Sequence, residues 1–179
     1  MRGTWKTIKS KVVFNSNRFG VREDDVIRPD GSKAKFYYRF GNPSVIIIAF
    51  DGKKITLVNQ YRYVQKKRLW ELPIGKSENH NYLQQAKKEL REETGIRAKK
   101  WKFVGEFYPS PGSQDSCGKI FLAKDLEYGA PEREAGEKDM YTAEFSIKQI
   151  DKMIAVGKIV DGWTITSMHL FKLKILNKS

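Results

Sequence analysis

Apolar residues along this chain fall into short alternating or continuous runs suited to strands, and into a few stretches with helical spacing. Within residues 6–40, Lys11-Val12-Val13-Phe14 and Phe19-Gly20-Val21-Arg22 flank Asn15-Ser16-Asn17. Val26-Ile27-Arg28 then faces Lys35-Phe36-Tyr37-Tyr38 across Pro29-Asp30-Gly31-Ser32, whose Asp-Gly pair is a strong hairpin signal. These segments predict a small antiparallel sheet, marginal alone and expected to pack on the main domain or a second subunit. From Ser44 to Phe50 the chain is continuously apolar, turns at Asp51-Gly52, and continues as a second strand from Ile55 to Arg62. Runs of this kind belong in a sheet covered on both faces. A helix is predicted from Tyr82 to Thr94, with Leu83, Ala86 and Leu90 as its buried stripe and Gly95 as its C-terminal cap. Strands follow at 102–107, 119–123 and 141–145. Two closing helices carry Ile147, Ile150, Met153 and Ile154, then Trp163, Met168 and Phe171. The order predicts an α+β fold: a helix–sheet–helix sandwich with a mixed sheet over residues 43–179, preceded by the antiparallel sheet of residues 1–42.

Composition narrows the partners. The 179 residues, 40% hydrophobic and 12% aromatic, suit one folded domain with a small appendage. No apolar run is long enough to cross a membrane, and no secretory signal follows Met1. A single cysteine, Cys117, permits no internal disulfide, so the cytoplasm is the expected compartment. The net charge of +13 would draw any phosphorylated ligand. Its cations are dispersed in short clusters, however, which favours a small phosphorylated molecule over nucleic acid as the main partner.

Chemistry concentrates in Lys88-Glu89-Leu90-Arg91-Glu92-Glu93-Thr94-Gly95-Ile96. On a helix Glu89 and Glu93 share a face with Glu92 beside them, and acids so placed repel unless a cation neutralises them. Mg²⁺, or Mn²⁺ in its place, takes hard oxygen ligands and binds through one or two carboxylates together with substrate phosphates. Two histidines and one cysteine cannot assemble a zinc pattern.

Gly75 to Ile96 resembles a Nudix box, written G-x5-E-x7-R-E-U-x-E-E-x-G-U with U apolar. Glu89, Leu90, Glu92, Glu93, Gly95 and Ile96 are in pattern. Lys88 stands where the family has arginine, the loop after Gly75 is one residue short, and the first glutamate falls near His80 or Asn81. Asn59-Gln60-Tyr61-Arg62-Tyr63 followed by Trp70-Glu71-Leu72-Pro73-Ile74-Gly75 looks like the approach to the box in the ADP-ribose pyrophosphatase branch. Pro111, fifteen residues past Ile96, is similar to a proline of the ADP-ribose and nucleoside diphosphate sugar group.

The resemblance implies a divalent-metal-dependent hydrolase that splits the pyrophosphate of ADP-ribose or a related nucleoside diphosphate sugar into a nucleoside monophosphate and a sugar phosphate. It also implies a homodimer formed through the N-terminal sheet, which would help line the substrate. By resemblance, Glu89, Glu93, Glu92 and the backbone carbonyl of Ile74 are metal ligands, and Arg62 contacts phosphate. The general base comes from the acidic loop 131–139, with Glu137 ahead of Glu134, and Glu92 supports catalysis. Asp115 is expected to position substrate and Tyr37 to stack on a base. Two alternatives stay open: an RNA 5′-end pyrophosphohydrolase, motivated by the positive charge, and a Nudix-fold nucleotide-binding module that has lost catalysis, motivated by Lys88 and the missing first glutamate.

Overall fold

The computed structural model describes residues 4–77, 80–133 and 135–178. The chain divides into two compact units, one of Met1–Pro43 with Tyr108–Cys117, the other of Ser44–Phe107 with Gly118–Ser179.

The first unit is an antiparallel sheet in the order β1-β2-β3, from β1 (Lys6–Asn15), β2 (Gly20–Ile27) and β3 (Lys33–Phe40). The sequence pattern predicts four strand segments here, but Phe19–Arg22 and Val26–Arg28 merge into β2. The polar residues between them, Glu23, Asp24 and Asp25, keep extended pairing with both neighbours. Cross-strand ion pairs compensate their charge: Lys35 Nζ reaches Glu23 at 2.6 Å and Asp25 at 3.0 Å, and Lys11 reaches Glu23 at 3.0 Å. Residues 108–117 dock on the end of β3, where Arg39 N donates to Ser113 O at 2.9 Å and Asp115 N to Arg39 O at 3.1 Å.

The second unit holds two sheets. One is mixed, in the order β7-β4-β9-β8, from β7 (Ile74–Lys76), β4 (Ser44–Ala49), β9 (Gly118–Glu127) and β8 (Arg97–Phe107). The other is antiparallel, in the order β10-β5-β6, from β10 (Tyr141–Ser146), β5 (Lys54–Arg62) and β6 (Lys67–Glu71). β4 runs parallel to β9 and antiparallel to β7, and its alternation splits the core in two. Val45, Ile47 and Ala49 face α1 (Tyr82–Thr94), joining Ala86, Leu90 and Ile96. Ile46, Ile48 and Phe50 join Leu57, Ile150, Met168 and Phe171, the last three from α2 (Ile147–Ala155) and α3 (Gly162–Lys174). Helix, sheet and helix are therefore layered as the apolar pattern predicts.

α1 has the predicted bounds because both ends are capped. The Asn81 side chain accepts from Gln84 N, and Gly95 takes the left-handed conformation at φ 76° while its N–H returns to Arg91 O. Its buried stripe differs from the prediction. Leu83 is exposed, and the cluster is reached by Tyr82, Ala86 and Leu90, a row four residues apart instead of the predicted mixed three-and-four row. That small rotation turns Gln85 and Glu93 inward, so both are buried and the acids do not all lie off the core face.

From sequence, residues 67–76 read only as an approach to the helix. Residues 67–71 carry too few apolar positions to predict β6, which forms by pairing with β5, Tyr61 opposite Arg68 and Val58 opposite Glu71.

Candidate active site

Three carboxylate-bearing elements of the second unit meet at the polar side of α1. Gln85, Glu89 and Glu93 are spaced one helical turn apart and form a row. Gln85 Nε2 donates to Glu89 Oε1 at 2.7 Å. Glu89 lies directly over Gly75 of β7: a Cβ added at that glycine would fall 1.8 Å from Glu89 Cδ, so only glycine admits the carboxylate there. Ile74, whose carbonyl the resemblance enlists, is the preceding residue of the same strand.

Glu93 is 2% exposed, and its Oε2 is buried with no hydrogen-bond partner among the described residues. Burial is the main cause that holds its carboxyl well above the ordinary range, with repulsion from Glu89 and Glu137 adding to it and Arg62 opposing it. Glu89 is raised in the same direction, again chiefly by burial, with Glu92 and Glu137 contributing. Glu137 stands in the short 3-10 turn Ala135–Glu137, near enough for its charge to act on both Glu89 and Glu93. Glu92 is turned the other way, toward Lys88 at 3.9 Å and Arg91 at 3.6 Å.

Arg62, at the end of β5, is clamped by Glu71. Its Nε donates to Glu71 Oε1 at 2.8 Å and Oε2 at 3.1 Å, and its Nη2 also donates to Oε2. Glu71 is 2% exposed, so the pair is a buried charge matched in bidentate fashion. With Nε and Nη2 committed, Nη1 is the edge left to meet a ligand. Sequence reasoning did not assign Glu71 a role. The signal was a carboxylate inside the otherwise apolar Trp70-Glu71-Leu72-Pro73-Ile74, which burial obliges to find a cation.

Two further arginines, also unassigned from sequence, fix the acidic loop. Arg133 donates from Nε to Glu93 O at 3.0 Å, and from Nη1 to Met140 O. Arg68 donates to Asp139 Oδ2 at 2.7 Å and to Asp139 O at 2.6 Å while also holding Asn59. Glu132 N meets Glu92 O at 3.0 Å, stitching the loop to the end of α1. Asp139 is thus engaged by Arg68. Glu134, the second candidate base, lies outside the described residues.

The other two candidates belong to the first unit. Tyr37 is exposed, with its hydroxyl donating to Glu23 at 2.7 Å. Asp115 Oδ1 accepts from Gly41 N at 3.2 Å.

Among the described residues no three His, Cys, Asp or Glu side chains are arranged to hold a metal ion. The donor set nevertheless fits a hard divalent cation that needs only one or two protein carboxylates. Among the described residues Glu93 offers an unpartnered buried oxygen, Glu89 is desolvated beside it, and the missing side chain of Gly75 admits the Glu89 carboxylate against the backbone of β7. A cation here would offset the cost of burying both charges.

Comparison with known proteins gives the chain its family. The family described as the NUDIX domain matches residues 41–160, and the nucleoside diphosphate sugar hydrolase N-terminal domain matches residues 5–38. The chain is 32% identical over 171 residues to an ADP-ribose pyrophosphatase of Mycobacterium tuberculosis (strain ATCC 25618 / H37Rv), covering 92% of this chain and 81% of that protein. It is 30% identical over 173 residues to an ADP-ribose pyrophosphatase of Bacillus subtilis (strain 168), covering 94% and 93%. A methanol dehydrogenase activator of Bacillus methanolicus is 30% identical over 175 residues, covering 94% and 93%. In fold, the chain superposes on the crystal structure of an ADP compounds hydrolase with a TM-score of 0.87 at 15% identity, over 100% of this chain and 98% of that one. The chain belongs to the Nudix superfamily, as a Nudix-fold hydrolase related to the ADP-ribose and nucleoside diphosphate sugar pyrophosphatases.

Proposed function

We propose that the protein hydrolyses the pyrophosphate bond of ADP-ribose or a related nucleoside diphosphate sugar in a Mg²⁺- or Mn²⁺-dependent reaction. The observation that carries the reading is the buried oxygen of Glu93, unpartnered among the described residues and one helical turn from Glu89, whose carboxylate lies over Gly75. Glu89, Glu93 and the Ile74 carbonyl would hold the cation, with Glu92 as a further ligand or outer partner. When bound, such an ion neutralises phosphate oxygens and acidifies a water.

The chain's own residues do the rest. Arg62, oriented by Glu71, presents Nη1 to a phosphate and stabilises the charge that spreads over its oxygens. Glu137 takes a proton from the attacking water. Its charge adds to burial in raising the carboxyls of Glu89 and Glu93. Glu134 is the reserve candidate for that role. The water's oxygen bonds to phosphorus, the bridging P–O bond breaks, and a nucleoside monophosphate and a sugar phosphate leave. Asp115 and Tyr37 are proposed as contacts to the rest of the substrate.

A cytoplasmic location belongs to the same reading, and no described helix is long and apolar enough to cross a membrane. We also propose a homodimer through the N-terminal sheet. Every residue of β1 is exposed in the single chain, and Trp5, Ile8, Val12, Val13 and Phe14 are among the large apolar side chains left open. Sedimentation equilibrium should give twice the mass of one chain, and replacing Ile8 and Val12 by lysine should return the monomer. A monomeric parent protein removes the dimer from the proposal.

The reaction is tested by phosphate release in a coupled phosphatase assay from ADP-ribose, ADP-glucose, GDP-mannose and a triphosphorylated RNA, with Mg²⁺ or with EDTA. Metal-dependent release from ADP-ribose or one sugar nucleotide is expected, with RNA slower. Faster cleavage of the RNA end, falling steeply with salt, would favour the RNA reading. Silence across the panel with nucleotide still bound would identify a module without catalysis.

A further inference from the structure

Beside α1, a cavity of about 500 Å³ is lined by Lys87, Lys88, Arg91, Arg97, Gln84, Gln85 and Trp101, among others; Gln85 is the residue that bonds Glu89, but neither Glu89 nor Glu93 lines the cavity. Four cations converge on it. Among the described residues their counter-charges are two, Glu92 and Glu132, and the contacts are long: Lys88 to Glu92 3.9 Å, Arg91 to Glu92 3.6 Å, Arg91 to Glu132 3.4 Å and Arg97 to Glu132 3.8 Å. Among the described residues every other ion pair is 3.0 Å or shorter. Lys87 has no ion-pair partner among them. Arg91 Nε is moreover buried, and its one charged contact among the described residues, Glu132 Oε1 at 3.4 Å, does not have the geometry of a hydrogen bond. Under-satisfied cations around a concavity are the arrangement expected where an anion completes the bonding.

The cavity also has an aromatic wall. Trp101 is half-buried, and its Nε1 is committed to Ala98 O at 2.9 Å, so the indole can offer a ligand only its ring. The volume lies within the range of small-molecule sites and exceeds what a bare phosphate ion would fill. Cations for a phosphate, a ring for stacking and the Gln84 amide for polar edges together describe a mononucleotide.

The geometry points to this cavity as a binding site for a nucleoside monophosphate, distinct from the pair Glu89 and Glu93, neither of which lines it. It does not depend on the proposed reaction, because binding is read without turnover. The test is calorimetric titration of the full chain in EDTA with adenosine 5′-monophosphate, with inorganic phosphate and with adenosine. Binding at the carboxylate site would not respond to Lys87 and Arg97, so the variants tell the two sites apart. One nucleotide per chain should bind, more tightly than phosphate or adenosine alone. Lys87→Ala combined with Arg97→Ala, both exposed positions, should weaken the nucleotide about tenfold or more. Trp101→Leu should weaken the nucleotide while leaving inorganic phosphate unchanged, and Glu93→Gln should bind as the parent does. Circular dichroism checks the fold of each variant. Absence of nucleotide binding, or affinity unchanged by the Lys87/Arg97 pair, overturns the site. Tighter binding of a single-stranded oligonucleotide than of the mononucleotide overturns the assignment to a small ligand.

Discussion

Glu93→Gln should lower metal-dependent turnover by a factor on the order of 10²–10³ while making the metal-free protein more stable at neutral pH. The two effects have one cause. Glu93 is 2% exposed, and burial together with Glu89 and Glu137 raises its carboxyl well above the ordinary 4.5. For a carboxyl raised on folding, the favourable contribution is present below the ordinary value and is lost as pH climbs through the folded one. Metal-free parent protein should therefore lose stability through that window, and Glu89 should add to the loss in the same direction. A glutamine keeps the shape, does not ionise and avoids the cost of a buried charge. Thermal unfolding in EDTA from about pH 5 to about pH 8 should show the variant pulling ahead of the parent as pH rises. Saturating Mg²⁺ should stabilise the parent and reverse the order. A variant with parental turnover would end the assignment of Glu93. One that is no more stable at the upper pH would show that the buried charge is already compensated.

The second large effect is expected at a residue with no side chain. Gly75→Ala places a methyl group 1.8 Å from Glu89 Cδ and 1.9 Å from its Oε1. Those are atoms at the end of a flexible side chain, so the carboxylate swings aside and the backbone of β7 stays. Activity and divalent affinity should fall about as far as in Glu89→Gln, while stability changes by less than about 2 kcal/mol. Combining Gly75→Ala with Glu89→Gln should cost little more than either alone, since both act on one group. Additive losses would mean that the glycine serves something other than Glu89. Full activity in Gly75→Ala would remove Glu89 from the reaction.

Much of the frame was legible in the sequence because its signals are local. Asn81 and Gly95 bracket α1, the Asp51-Gly52 turn joins β4 to β5, and the continuous run of β4 announces a sheet covered twice. The row of acids was legible for the same reason, since their spacing is a property of one helix. The fine rotation of that helix was not. Tyr82 and Leu83 are both apolar neighbours, and which one docks is decided by the sheet beneath. The same rotation buries Gln85 and Glu93. Partners distant in sequence were equally hidden: Arg133 meets Glu93 across 40 residues and Arg68 meets Asp139 across 71. An isolated arginine in a sequence names no acceptor. Glu71 came nearest to being legible, as an acid in an apolar run, and it proved to hold Arg62.

The two faces of β4 are equally apolar but unequal in bulk. Toward α3 they present isoleucine and phenylalanine, whereas the α1 cluster contains Ala49, Ala86 and Ala123, all fully buried, with Ala49 and Ala123 paired across neighbouring strands. These alanines act as a thin spacer that lets the helix settle low on the sheet, and that height decides whether Glu89 can reach the surface of Gly75. The gauge of the acid row is therefore set by residues that carry no charge and touch no ligand. A bulkier residue in that layer would lift the acids from the strand without altering one of them.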